Sequence, residues 1–210
     1  MLESFITAFI VYFVVIDPVG TAPIFLAFTA PHSKAGKIHT AIEATVIATA
    51  IMLFFAICGS WVLHYLQIGE PAFKIAGGLI LFLVAWDMLN SKRQARKHHD
   101  TKNHPMDTDN PENVAIFPLA TPLLAGPAAI LSVMVISANF SQGMTMIMIG
   151  YAALLAVMVL TGAILALTAV AERLFNPRIT NVFSRVTSII LAGLSVQYVV
   201  DGLTLLGLFT

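Results

Sequence analysis

The sequence predicts an all-α membrane protein with six transmembrane helices in two inverted three-helix repeats, the first and fourth helices being broken. Three observations lead to this fold class. Of the 210 residues, 58% are hydrophobic and 10% are charged, whereas soluble domains carry about 25% charged residues. Six apolar segments are each close to the ~20 residues that a bilayer requires. Two of these segments contain matching proline and glycine runs, one in each half of the chain.

The six predicted spans leave no segment long enough for a separate soluble domain. The second, third, fifth and sixth are continuous apolar runs, whereas the first and fourth contain prolines, which remove a backbone donor and clash with the preceding turn. The first residues, Met1 to Ser4, lack a basic n-region, so we expect the first span to be retained rather than cleaved as a signal peptide. The predicted spans run at about 4–29, 41–66, 71–91, 113–137, 144–170 and 183–208.

A polar strip divides the chain into two halves of three spans. We expect a first repeat at 1–91, a polar cytoplasmic linker at 92–112 and a second repeat at 113–210. The histidines of the linker are interpreted as part of a solvated strip, and the lone Cys58 excludes a multi-cysteine metal site, so no metal site is predicted. Because three is an odd number, two halves that share a fold must have opposite orientations, as in many secondary transporters.

The basic residues predict the orientation of the spans. If both termini lie outside, the outer side carries Lys74 alone, and the other ten of the eleven lysines and arginines lie on the cytoplasmic side. Positive charge accumulates on the cytoplasmic side of membrane proteins, so we expect an inner-membrane, multi-pass protein with both termini on the outer side. The ten residues are Lys34, Lys37, Lys92, Arg93, Arg96, Lys97, Lys102, Arg173, Arg178 and Arg185.

The two proline and glycine runs occupy the middle of their spans. The first is Asp17-Pro18-Val19-Gly20-Thr21-Ala22-Pro23, and the second is Thr121-Pro122-Leu123-Leu124-Ala125-Gly126-Pro127. Each has two prolines separated by four residues and should interrupt its helix within the bilayer. Lipid cannot satisfy the freed backbone groups, so they must line a cavity or bind a ligand. A matched pair of interrupted spans is a sequence signature of a transporter's substrate site.

Asp17 supports two compatible interpretations. An ionisable group inside the membrane is costly and usually faces a cavity or a partner, which favours a ligand for an ammonium, a cation or a coupling proton. Asp directly before Pro18 is also a good helix N-cap, with proline at the first helical position. Capping a half-helix inside the membrane is itself a way to build such a site, so both roles stay open.

The remaining candidates lie at the same breaks. Thr21 and Thr121 offer hydroxyls that either contact a ligand or bond their own i−4 carbonyl. Half-helix N-termini after Pro18 and Pro122 would present donors to a carboxylate, and the preceding carbonyls would suit an ammonium or a cation. The predicted substrate- or ion-binding residues are Asp17, Pro18, Gly20, Thr21, Pro23, Thr121, Pro122, Gly126 and Pro127, with Asp87, Gln197 and Asp201 as weaker candidates.

The motifs of familiar enzymes are missing from the sequence. It contains no Walker A run, Gly-x-Ser-x-Gly, His-Glu-x-x-His or Gly-x-Gly-x-x-Gly pattern, so we expect neither an enzyme nor a primary pump. The zero formal net charge gives no case for nucleic acid.

A small-molecule substrate and the bilayer are the predicted partners, together with a possible homo-oligomer. No cofactor is predicted apart from a coupling ion, H⁺ or Na⁺. The alternatives are a channel, an exporter of another metabolite or drug, and a membrane protein without transport function.

The two broken segments carry a family resemblance. The stretches from Asp17 to Phe25 and from Pro118 to Pro127, with the Gln197 to Gly202 pattern of the last span, resemble the MarC family over essentially the whole chain. The resemblance implies a bacterial or archaeal inner-membrane protein. It also implies ion-driven transport of small neutral amino acids such as glycine and alanine, as described for some relatives. The first motif of the family often has Asn where this chain has Asp17.

Overall fold

The computed structural model describes residues 1–90, 114–139, 143–171 and 177–207. These residues are helical apart from short connections, and they include no strand, which confirms the all-α prediction. The helices are α1 (Leu2–Ile16), α2 (Pro18–Phe28), α3 (Lys34–Tyr65), α4 (Glu70–Leu89), a bent segment (Ala115–Leu124), α5 (Pro127–Asn139), α6 (Met144–Val170) and α7 (Pro177–Leu205).

Five stretches of these helices are long and apolar enough to cross a membrane. They are Leu2–Phe28, Lys34–Gly59, Glu70–Leu89, Met144–Val170 and Val182–Leu205. The first combines α1 and α2. A further pair, the bent segment with Pro127–Ser137, passes the same test but bends by 55°. This pair is either a broken sixth span or a re-entrant loop, so the described chain has five spans, or six if the pair is counted as one.

The most extensive helix contact joins α4 and α7, which run antiparallel. Gly78 of α4 lies against the backbone of α7, where an added Cβ would be 2.6 Å from the Ser195 carbonyl oxygen. Gly202 of α7 lies against α4 in the same way, at 2.9 Å from the Pro71 carbonyl oxygen. Small residues let membrane helices approach closely, and here each helix contributes one of the two glycines.

A second antiparallel pair is formed by α3 and α6. Gly162 of α6 faces Thr45 of α3. Nearer the start of α6, the Tyr151 hydroxyl donates a 3.4 Å hydrogen bond to the Ala56 carbonyl oxygen of α3. The remaining contacts bring α1 and α2 onto α6 and α7, and the bent segment and α5 onto α3. Helix α5 also packs on α4, where Gly77 faces Leu131. The broken segments therefore lie among the unbroken helices.

The surface and the interior are both apolar. Tyr12, Phe25, Met52 and Leu154 are fully buried, whereas large apolar side chains such as Val159 are exposed on the outside of the bundle. A soluble protein would not expose so many, but lipid tails solvate them well. The predicted linker at 92–112, with its basic residues and histidines, lies outside the described residues, as does Arg173.

Candidate functional site

The first break is centred on Asp17. This residue ends α1 and begins α2 with φ 52° and ψ 61°, the left-handed region, which Asp tolerates better than most residues. Its side chain caps α2, because Oδ1 accepts a hydrogen bond of 3.0 Å from the Gly20 amide. The residue is only 5% exposed. The N-cap interpretation is therefore confirmed, and it places a buried carboxylate between two half-helices.

The prolines account for the local shape of this break. Pro18 starts α2, where its missing N–H costs nothing, and the Thr21 amide bonds the Asp17 carbonyl oxygen at 2.9 Å to form the first turn. Pro23 lies inside α2 and is half-buried. Neither proline can donate to the carbonyl four residues earlier, so the carbonyls of Val14 and Val19 lose their usual helical partner.

Ser184 of α7 lies beside this break, and no motif in the sequence indicates this position. A Cβ added at Gly20 would overlap the Asp17 carboxylate and would lie 2.7 Å from the Ser184 Oγ. The edge-on contact of Phe13 with Phe183, with ring centroids 6.2 Å apart, holds the same part of α7 against α1. Gly20, Thr21 and Ser184 are all buried. The break is therefore completed by a residue more than 160 positions away in the chain.

The contact with Ser184 also sets the depth of the break. Asp17 lies near the middle of the stretch Leu2–Phe28, as predicted. Ser184, by contrast, lies near the start of the stretch Val182–Leu205, about 14 Å along the helix from its middle at 1.5 Å per residue. The carboxylate is therefore level with the N-terminal part of α7 rather than with its centre.

The second break is more gradual than the first. Phe117 and Thr121 leave the helical region, with φ/ψ of −134°/128° and −131°/126°. The Ala125 amide then bonds the carbonyl oxygen of Ala120, five residues back, at 2.9 Å. A Cβ added at Gly126 would lie 2.5 Å from the Pro122 carbonyl oxygen. Only glycine fits this close backbone approach.

Several expectations for the second break need revision. The half-helix begins at Pro127 and not after Pro122, because the chain stays in the bent segment up to Leu124. The Thr121 hydroxyl bonds the carbonyl oxygen of Ile116 at 3.2 Å, so its hydrogen bond is local. Pro122 and Pro127 are exposed, and Thr121 and Gly126 are half-buried. The two broken segments nevertheless contact each other, because α2 contacts the bent segment and α1 contacts α5.

Two of the weaker candidates lie away from the first break. Gln197 Nε2 donates to Asp201 Oδ1 at 2.6 Å, so this pair is bonded within α7 and does not join two helices. Asp201 lies about 25 Å along α7 from Ser184. Lys74, near the other end of the α4–α7 pair, bonds Glu70 Oε1 at 2.8 Å within α4.

Asp87 is closer to the first break than the other two. Because α4 runs antiparallel to α7, with Gly78 opposite Ser195 and Val199, the register places Asp87 opposite about residue 188, roughly one turn from Ser184. The residue is half-buried near the end of α4. Asp87 therefore lies level with the first break, on a neighbouring helix of the α4–α7 pair.

Comparison with known proteins places this chain in a family of membrane proteins. One relative, a UPF0056 membrane protein of Methanocaldococcus jannaschii, is 32% identical over 203 residues that cover 97% of this chain and 88% of the relative. Another, from Bacillus subtilis, is 31% identical over 208 residues that cover 97% and 96% of the two chains. A third, from Aquifex aeolicus, is 31% identical over 204 residues, covering 95% and 92%. No solved structure matches the chain.

Residues 2–206 match the profile of the MarC family integral membrane proteins. The match runs through every described helix, including both breaks and Ser184. The relatives are named as membrane proteins, and the matches cover 88% and 96% of their length. Together with the apolar helices, these matches show that the chain is a multi-pass integral membrane protein that belongs to the MarC family.

Proposed function

We propose that the protein is a secondary transporter of small neutral amino acids such as glycine and alanine, coupled to an ion gradient and working by alternating access. The observation that carries the proposal is the buried Asp17 carboxylate at a helix break inside an apolar span. Buried ionisable groups in membrane helices mark substrate and ion pathways. The left-handed backbone at Asp17 points the same way, because local strain tends to occur at functional sites.

The helix contacts support an inverted repeat of 1–91 and 113–210. Exchanging the two halves pairs α1 and α2 with the bent segment and α5, α3 with α6, and α4 with α7. The contacts of α1 and α2 with α6 then correspond to those of the bent segment and α5 with α3. Their contacts with α7 correspond to that of α5 with α4, and the antiparallel pairs α3–α6 and α4–α7 map onto themselves. This is the pattern that a two-fold axis in the membrane plane would produce.

The substrate site in this proposal lies between the two breaks. The carbonyl end of α1 and the Asp17 carboxylate suit an ammonium group or a coupling cation, and the N-terminus of α5 at Pro127 suits a carboxylate. A zwitterion offers one group to each. The amino-acid class itself comes from the family resemblance, and the geometry is compatible with it. Alternating access would come from one set of helices rocking against the other.

The cellular setting is part of the same proposal. The ten-to-one distribution of basic residues supports an inner-membrane protein with six spans and both termini outside, with the linker at 92–112 in the cytoplasm. A transporter of this kind acts on a small solute in the bilayer without enzymatic chemistry, cofactor or nucleic acid. A homo-oligomer is compatible with this arrangement.

Uptake of labelled glycine and alanine into proteoliposomes, with imposed proton or sodium gradients, tests the function. We expect saturable uptake that collapses with one of the two gradients. Asp17→Asn keeps an acceptor for the Gly20 amide and removes only the charge. It should therefore lower coupled uptake by about tenfold or more while the protein still folds. The matched control is Glu3→Gln, which removes an exposed carboxylate from the same pair of helices.

The outcomes separate the competing functions. No uptake of either amino acid by folded protein under any gradient would remove the amino-acid assignment, and a panel of metabolites and drugs would then test the exporter alternative. Uptake that does not saturate would indicate a channel. Unchanged uptake by Asp17→Asn would leave Asp17 with the capping role alone.

A further inference from the structure

The hydroxyl groups in the described helices fall into two classes. Nine of them bond a carbonyl oxygen three or four residues back in their own helix, as membrane Ser and Thr residues commonly do. This class includes Thr29, Thr45, Thr49, Thr161, Thr168, Thr187, Ser188, Ser195 and Thr204. Four buried hydroxyls have no hydrogen-bond partner among the described residues: those of Thr21, Thr40, Ser132 and Ser184. Two of these four lie at the first break.

Ser184 and Asp17 face the same side of Gly20. A Cβ added there would overlap the Asp17 carboxylate and lie 2.7 Å from the Ser184 Oγ, so the carboxylate and the hydroxyl lie close to each other. Thr21 is one turn above Asp17, because its amide bonds the Asp17 carbonyl oxygen. Thr21 is fully buried and Ser184 is 9% exposed. A buried hydroxyl without a partner is costly, which indicates that a polar species binds beside these two hydroxyls.

Three side chains with oxygen donors lie at this break: the carboxylate of Asp17 and the hydroxyls of Thr21 and Ser184. They lie at the carbonyl end of α1, where the Val14 carbonyl lacks its helical partner because Pro18 has no N–H. The C-terminal end of a half-helix carries partial negative charge and is a recurrent site for coupling cations. Oxygen donors this close together suit a single small cation. A proton bound to the carboxylate would leave the two hydroxyls unexplained.

We propose that Asp17, Thr21 and Ser184 form a sodium site at the first break and that Na⁺ is the coupling ion; the coupling role, though not the binding, rests on the proposed transport function. Hydroxyl and carboxylate oxygens are the ligands that hard cations prefer. Ser184 would supply its lone pairs from α7 and so connect the break to a helix of the other repeat. Binding of Na⁺ would then favour the arrangement in which α7 lies against α1 and α2.

Sodium binding to the purified protein, measured without any substrate, tests the site. The thermal unfolding midpoint is recorded against NaCl, with choline chloride replacing it at constant ionic strength and KCl as a second series. We expect a saturable increase with Na⁺ and none with K⁺ beyond the ionic-strength control. Ser184→Ala and Thr21→Val should each raise the apparent Kd for Na⁺ by about tenfold or more.

Matched variants show whether the effect is specific. Ser188→Ala on α7 and Thr29→Val at the end of α2 remove buried hydroxyls that are already bonded within their own helices, so the Kd for Na⁺ should stay at the wild-type value. The unfolding midpoints of all four variants in choline chloride report whether each one folds. A variant that fails to fold is replaced by another substitution at the same position. Ser184→Cys removes the Ser184 oxygen, and Thr21→Ser retains the Thr21 oxygen.

Each result decides the proposal. No sodium-specific shift in the wild-type protein overturns it and leaves an ordered water as the occupant. A normal Kd in Ser184→Ala or Thr21→Val overturns the assignment of that ligand. Proton-driven uptake by a protein that does not bind Na⁺ rejects the sodium site but keeps the transport function. Sodium binding without amino-acid uptake supports the site and rejects the transport proposal instead.

Discussion

At the scale of single residues, Asp17 combines two demands that usually conflict. Its backbone is left-handed, a conformation that most side chains resist, and its carboxylate must be stable within an apolar span. The short polar side chain meets the first demand, and the α2 N-terminus meets part of the second, because the Gly20 amide and the helix dipole both favour a negative charge. Capping thus stabilises a buried charge and is compatible with a functional role.

Gly20→Ala should destabilise the protein. The new Cβ would overlap the Asp17 carboxylate and approach the Ser184 Oγ to 2.7 Å, so the cap must be broken or α7 displaced. We expect a loss of about 1–3 kcal/mol in the free energy of unfolding from overpacking. Thermal or denaturant unfolding in detergent measures it.

Gly193→Ala on α7 is the control for Gly20→Ala. Nothing lies within 4 Å of its added Cβ, so the substitution should be neutral or should stabilise the helix by about 0.5–1 kcal/mol. Equal effects of the two substitutions would contradict the close contact of Gly20 with Ser184.

At the scale of helices, the chain packs through small residues placed on facing helices. Gly78 and Gly202 bring α4 and α7 together, and Gly162 lets α6 approach Thr45 of α3. Within a membrane, packing and not exclusion of water holds helices together, so these close approaches determine which faces meet. The same contacts give both helix pairs their antiparallel register.

A disulfide between Thr45→Cys and Gly162→Cys should join α3 to α6. The Cβ added at Gly162 lies 3.6 Å from the Thr45 Cβ, within the ~3.5–4.5 Å that a disulfide requires. The experiment uses a Cys58→Ala background, since Cys58 is the one native cysteine. We expect oxidant-dependent cross-linking, detected by proteolysis between the two helices and gel electrophoresis.

The control pair for the cross-link is Val46→Cys with Gly162→Cys. Val46 neighbours Thr45 on α3, but its side chain is 61% exposed on the outside of the bundle. This pair should form little or no disulfide. Equal cross-linking of both pairs would show that the register of α3 on α6 differs from the one described.

At the scale of the whole molecule, the bent segment and α5 determine the topology. If they form one span bent by 55°, the chain crosses the membrane six times and its termini share a side. If they form a re-entrant loop, there are five spans and the termini lie on opposite sides. The correspondence of contacts between the two halves favours the first arrangement, because an inverted repeat needs three spans in each half.

Labelling of single cysteines from the outside distinguishes six spans from five. In the Cys58→Ala background, Glu3→Cys and Leu206→Cys lie near the two termini, and Ala35→Cys lies in the first turn of α3, between Lys34 and Lys37. With six spans, an impermeant maleimide should label both terminal cysteines in right-side-out vesicles. It should label position 35 only after the vesicles are opened. Labelling of one terminus alone would indicate the re-entrant loop.

The features that depend on local chemistry can be predicted from the sequence. Apolar length predicts which segments can enter a bilayer, and proline predicts where a helix must break. An Asp before a proline predicts a cap. Asp17, Pro18 and the bend near Gly126 follow from these rules, because each involves atoms only a few residues apart. For the same reason, the MarC resemblance could be identified from the two short motifs.

The surroundings of the first break, by contrast, depend on how distant helices pack. Nothing in the sequence links Ser184 to Gly20, because the contact depends on which face of α7 meets α1 and α2, and many small residues could form such a contact. The structure also distinguishes the two threonines at the breaks. The Thr121 hydroxyl bonds the Ile116 carbonyl oxygen in its own segment, whereas the Thr21 hydroxyl has no hydrogen-bond partner among the described residues. Local rules place polar groups along a helix, but the packing of distant helices determines which groups are left to bind a ligand.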